Sequence, residues 1–103
     1  MMLLLEFSMY PTDKGESVSE YVKGNLEIIH ASGLPYKLGP MGTCLEGDYD
    51  EVMDVVRMCY ERLSQDSDRI ACQVKMDWHR GHSGRLDSKV ETLKAKTGHD
   101  LST

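Results

Sequence analysis

The segment Tyr36-Lys37-Leu38-Gly39-Pro40-Met41-Gly42-Thr43-Cys44-Leu45-Glu46-Gly47-Asp48-Tyr49-Asp50-Glu51-Val52 constrains the fold more than any other, because strand, turn, strand and helix start follow with almost no linker. Gly39-Pro40 and Gly47-Asp48 carry turn chemistry: Gly accepts positive φ, and Pro presets φ while supplying no N–H for a central ladder. The stretch between them, Gly42 to Glu46, has to be a short strand. Asp48 followed by Glu51 then reads as a capping box, the Asp side chain accepting from the third helical N–H while Glu51 reaches back to the cap. A helix with the apolar stripe Val52, Val55, Val56, Cys59 and Leu63 starts at once.

The remaining elements come from periodicity. Met2 to Met9 alternates as a strand, with Leu3, Leu5, Phe7 and Met9 on the core side. Ser17 with Glu20 reads as a second capping box, opening a helix that carries Val18, Tyr21, Val22, Leu26 and Ile29 and stops at Gly33. Tyr36 to Leu38 is a short strand, and Arg69 to Asp77 alternates as another. Leu86 to Lys96 forms a C-terminal amphipathic helix with Leu86, Val90 and Leu93 on one face, and the residues after Gly98 are expected to fray.

The order is β-α-β-β-α-β. Two right-handed crossovers around a central hairpin define an α+β, ferredoxin-like sandwich: a four-stranded antiparallel sheet with two helices on one face, plus the C-terminal helix. The face those two helices leave bare should carry Leu4, Glu6, Ser8, Tyr10, Ala71, Gln73, Lys75 and Asp77, a mixed surface suited to meeting a second subunit or enclosing a small ligand.

Composition bounds the function. A chain of 103 residues with 40% hydrophobic content makes one domain spanning residues 1–103. Its net charge of −5, from 17 acidic against 12 basic side chains, argues against binding a phosphate backbone, so no nucleic acid is expected. The run Met1-Met2-Leu3-Leu4-Leu5 has no basic flank and is cut by Glu6, too short for a membrane span. Cys44, Cys59 and Cys72 are odd in number without CxxC spacing, which fits a reducing, cytoplasmic setting.

No catalytic constellation emerges. Patterns of the GxSxG, Walker and GxGxxG types are absent, and His79 and His82 lack a third ligand at metal-binding spacing. An acylphosphatase-like loop after the first strand would need an arginine that Pro11 to Ser17 does not contain. A carboxylate beside Cys44, with Glu46 nearest in sequence, would raise the thiol's pKa and disfavour thiolate chemistry. With Asp48 and Glu51 committed to capping, Glu46 is left without structural duty and becomes a binding candidate.

Ser8-Met9-Tyr10-Pro11, Ser17 to Val22, Gly33-Leu34-Pro35-Tyr36, Gly39-Pro40-Met41-Gly42-Thr43, Glu46-Gly47 and the final strand ending in Asp77 together resemble the small thiamine-binding protein family, from about Leu5 to Val90. The resemblance implies a non-enzymatic, ferredoxin-like subunit that forms homodimers or homotetramers through sheet faces and edges. It also implies that the subunit binds thiamine or its hydroxymethylpyrimidine portion as carrier, buffer or sensor, with no cofactor or metal.

Ser8, Thr43 and Glu46 match the family's recurring polar positions, and Glu6, Gln73 and Lys75 lie beside them on the open face. A carboxylate and a hydroxyl suit an aminopyrimidine, and Glu6 or the ring of Tyr10 suits a thiazolium cation. Strict alternation points Thr43 and Glu46 to opposite faces, so they share a pocket only through a bulge at Gly42 or Gly47 or through a neighbouring subunit. The alternative is a structural or regulatory oligomerisation module binding another small molecule.

Overall fold

The computed structural model describes residues 2–103; Met1, the first residue of the N-terminal apolar run, lies outside them. The elements are β1 (Met2–Pro11), α1 (Ser19–Ala31), β2 (Tyr36–Leu38), β3 (Thr43–Asp48), α2 (Tyr49–Asp66), β4 (Ile70–Trp78) and α3 (Arg85–Thr97). The strands form one antiparallel sheet in the order β2-β3-β1-β4, the ferredoxin-like arrangement.

Leu3, Leu5, Phe7 and Met9 of β1 and Leu45 of β3 pack with Ile29 of α1 and with Val52, Val55, Val56, Cys59 and Leu63 of α2 to make the core. The α2 stripe is thus the one its spacing predicts. Its start is a true capping box: the Asp48 side chain accepts from the N3 backbone, and Glu51 Oε1 accepts from Asp48 N–H at 3.0 Å.

Other local expectations need correction. The first helix is not opened by Ser17; Val18 is its N-cap with no side-chain bond, and Val18 O accepts from both Tyr21 N and Val22 N at 3.0 Å. The helix start therefore rests on the Val18 carbonyl rather than on a hydroxyl cap. Nor is Gly47 a turn. It pairs with Leu3 inside β3, and a Cβ there would come 3.2 Å from Leu34 Cδ2 and 3.3 Å from Val52 Cγ1, so tight packing selects glycine. Gly39 is likewise set by close approach, donating to Gly42 O at 2.8 Å, an oxygen 2.9 Å from where its Cβ would stand.

The β1–β3 register runs unbroken from Met2↔Asp48 to Phe7↔Thr43. With no bulge, Thr43 sits opposite Phe7 on the core face and Glu46 opposite Leu4 on the other. The predicted open-face set is confirmed pair by pair: Leu4↔Asp77, Glu6↔Lys75, Ser8↔Gln73 and Tyr10↔Ala71. That face is not wholly bare, however, because α3 is anchored across one end of it.

The anchor is polar rather than the expected Leu86–Val90–Leu93 stripe, of which Leu93 remains exposed. Asp77 Oδ2 accepts from Arg85 Nη2 and from Lys89 Nζ, both at 2.6 Å, and Asp77 O accepts from Arg85 Nη1 at 3.2 Å. Glu46 is 2% exposed, and its Oε2 accepts from Arg85 N–H at 2.9 Å. The N-cap of α3 is Gly84, which has no side chain to offer, so a carboxylate from the sheet takes the capping role. Glu46 therefore has the structural duty that the sequence left unseen.

The hydrogen bond from Lys89, then that from Arg85, holds the Asp77 carboxyl below its ordinary pKa. A depressed folded-state pKa contributes stability that is present above the unfolded value and is lost as pH falls through the folded one. We expect α3 to loosen as pH falls below the ordinary carboxylate range, about 4, while the core persists. Hydrogen exchange across Arg85–Thr97 reports it, and Asp77→Asn should show the loosened α3 already at neutral pH. Equal protection of α3 in both proteins at pH 7 would refute this account of the anchor.

Candidate functional site

The sheet is incomplete before β3 begins. Thr43, the first residue of β3, pairs with Phe7, so from Ser8 onward β1 has no neighbour on that side, and the Met9 carbonyl would be buried without a ladder partner. Asn25 of α1 replaces the missing strand, Nδ2 donating to Met9 O at 2.8 Å. The bond fixes the amide. Its other end, Oδ1, is buried and has no hydrogen-bond partner among the described residues.

Beside this substitute contact lies a cavity of about 280 Å³. Val18, Val22, Leu26 and Ile29 of α1 form one wall, Phe7 and Met9 of β1 another, and the Gly39–Gly42 turn the rim, with Asn25 and Thr43 as buried polar residues. Apolar walls around a few placed hydrogen-bonding groups are the usual make-up of a small-ligand pocket, and this volume is at the single-ring end of the range. Ser8 and Tyr10 border it at the strand edge, and Met41 on the rim is 90% exposed.

The opposite face carries two shallow depressions. One, of about 340 Å³, is lined by Leu4, Glu6, Cys44, Lys75, Met76, Asp77 and Lys89. The other, of about 290 Å³, involves Glu6, Phe7, Ser8, Met41, Gln73, Val74 and Lys75. Glu6 and Lys75 belong to both. The Cys44 thiol points to Glu6, donating to Oε2 at 3.5 Å. Burial first, then this carboxylate, pushes the Cys44 pKa up, the direction expected from sequence but with Glu6 rather than Glu46 as the carboxylate. Burial also pushes the Cys59 thiol up, to about 11, so neither thiol is poised as a nucleophile.

The seven sequence-selected residues therefore divide. Glu6, Ser8, Gln73 and Lys75 come together on the open face with Tyr10 further along it; Thr43 lines the helix-side cavity; Glu46 lies under α3. Asn25 was missed. Its signal was an amide at the sheet-facing spacing of α1, between Val22 and Ile29, a polar residue on an apolar stripe that needs a buried partner. His79 and His82 stack at 3.6 Å between centroids, and no group of three or more potential metal ligands occurs among the described residues.

The chain matches known proteins over most of its length. Residues 5–94 match the family model described as thiamine-binding protein. A UPF0045 protein of Mycobacterium bovis is 35% identical over 95 residues, covering 91% of this chain and 93% of that one. A UPF0045 protein of Methanocaldococcus jannaschii is 31% identical over 91 residues, covering 88% and 91%.

Among solved structures, a hypothetical protein of the same archaeon superposes with a TM-score of 0.83 at 30% identity, covering 89% of this chain and 95% of that one. A Thermotoga maritima protein described as a candidate thiamine biosynthesis/salvage protein superposes at 0.79 with 25% identity, covering 90% and 99%. The chain belongs to the thiamine-binding protein family.

Proposed function

We propose that this protein binds thiamine or its hydroxymethylpyrimidine portion without transforming it, as a cytoplasmic carrier, buffer or sensor. The observation that carries the reading is Asn25, a buried amide clamped at one end by Met9 O and left unpartnered at the other, lining an apolar cavity together with Thr43. An aminopyrimidine supplies both an exocyclic N–H donor for Oδ1 and ring nitrogens for a hydroxyl donor, with two flat faces for Phe7 and Ile29. The thiazolium cation then emerges at the strand edge toward Glu6, whose carboxylate offsets its charge. Neutral hydrogen-bonding groups and thiols of raised pKa suit recognition rather than attack on the ligand.

Titration calorimetry of the whole chain with thiamine and with hydroxymethylpyrimidine tests this. Saturable heat with either is expected, with the pyrimidine alone retaining much of the affinity. No heat and no thermal shift with both would overturn the reading.

We further propose that the working unit is a homodimer, or a tetramer of two such dimers, built on β4. Val74, Met76 and Trp78, on the side of β4 facing the helices, are 41%, 51% and 44% exposed, because α1 and α2 pack over the other strands. No helix of the described residues is long and apolar enough to cross a membrane. An oligomerisation module carrying a different small molecule is the second reading. A co-purifying mass unrelated to thiamine in native mass spectrometry would favour it.

A further inference from the structure

The helix-side cavity and the open-face depression beside Gln73 adjoin. Phe7, Ser8 and the exposed Met41 line both, next to the gap in the sheet before β3 begins at Thr43. On the helix face β3 presents the hydroxyl of Thr43; on the open face β1 presents the carboxylate of Glu6 and β4 the ammonium of Lys75. The charge sequence is neutral, negative, positive.

Lys75 is the unexplained member. It stands directly opposite Glu6 in the β1–β4 register, yet no carboxylate comes within ion-pair distance of it among the described residues. Glu6 is engaged instead on its β3 side by the Cys44 thiol. Lys89, the other lysine of this face, is committed to Asp77. An uncommitted ammonium beside the primary amide of Gln73, bordering a depression that shares Phe7, Ser8 and Met41 with the ligand cavity, is a site for an anion.

We infer that the ligand class is the phosphate ester of the pyrimidine–thiazolium compound, with Lys75 and Gln73 holding the phosphate. The inference rests on the thiamine reading above. From the cavity to the open face the ester presents a neutral aminopyrimidine, a cationic thiazolium and an anionic phosphate, the complement of Thr43 with Asn25, Glu6 and Lys75 in that order. Glu6 and Lys75 stand directly opposite each other on neighbouring strands, about 5 Å apart, a step that the hydroxyethyl tail between thiazolium and phosphate covers.

The test is calorimetry of the full chain with thiamine, thiamine monophosphate and inorganic phosphate, for the native protein and for Lys75→Gln. The native protein should bind the monophosphate about tenfold more tightly than thiamine, the worth of one charge-assisted hydrogen bond. Lys75→Gln should remove that preference by lowering monophosphate affinity about tenfold more than thiamine affinity; inorganic phosphate alone should bind weakly to both. Equal native affinity for thiamine and its monophosphate, or an equal loss for both ligands in Lys75→Gln, overturns the phosphate assignment while leaving the thiamine reading intact. Absence of binding by every organic ligand overturns that reading and this inference with it. Lys75 is exposed and unpaired, so the variant is expected to fold, which its near-ultraviolet circular dichroism checks.

Discussion

Replacing Asn25 with leucine is expected to weaken thiamine binding by about a hundredfold while changing the stability of the free protein by no more than about 1–2 kcal/mol. Leucine nearly matches asparagine in shape, so the cavity walls keep their positions. Two polar consequences oppose each other in the free protein. The Met9 carbonyl loses the Nδ2 donor at 2.8 Å, which costs about 1–3 kcal/mol for a buried acceptor. The buried Oδ1, unpartnered in the native chain, disappears and takes its own desolvation penalty with it.

No such cancellation operates in the complex. There Oδ1 would be satisfied by the ligand's amino group, and leucine would leave that donor buried against a methyl, worth about 2–3 kcal/mol, or roughly a hundredfold in affinity. Thr43→Val, which keeps the shape and removes one hydroxyl, should lose about tenfold by the same argument. Calorimetry paired with a urea midpoint separates the two quantities. Undiminished affinity in a folded Asn25→Leu protein would remove the cavity from consideration as the pyrimidine site.

The order of elements was legible because it is written locally. The Asp48–Glu51 box, the α2 stripe and the alternation of β1 and β4 each depend on residues within a few positions of one another, and each stands in the structure as the spacing implies. What escaped the sequence depends on distant partners. Asn25 matters because β3 begins only at Thr43 and leaves Met9 O without a ladder bond, a fact of pairing between segments far apart in the chain. Glu46 was read as idle because its task is to cap a helix that begins at Arg85, and only the glycine at that helix's N-cap hinted that a donor group there needed outside help. The Ser17 cap failed for the opposite reason: a local motif was present, but the helix starts past it, with the Val18 carbonyl taking the first helical N–H groups.

Met76→Glu should turn the protein into a monomer that still binds ligand. β4 is the outer strand of the sheet and its nine residues leave one edge unpaired, with an apolar stripe beside it. An exposed edge of that length is a template for another strand unless something covers it. A second copy fits through an antiparallel two-fold axis at Val74, which sets Cys72 opposite Met76, Gln73 opposite Lys75 and Ile70 opposite Trp78, apolar against apolar and with no like charges facing. Moving the axis by one residue to Lys75 would oppose two lysines, which disfavours that register.

Each Met76 buried in such a dimer contributes about 1.5 kcal/mol or more, and symmetry counts it twice. Losing about 3 kcal/mol, together with burial of a new carboxylate, raises the dissociation constant by more than about a hundredfold. Sedimentation equilibrium reads the change directly. The helix-side cavity lies at the end of β3, on the far side of β1 from this edge, so thiamine affinity of the Met76→Glu monomer should stay within about threefold of native, well inside one tenfold step. A native protein that sediments as a monomer, or a variant that keeps the native mass, would reject β4 as the interface.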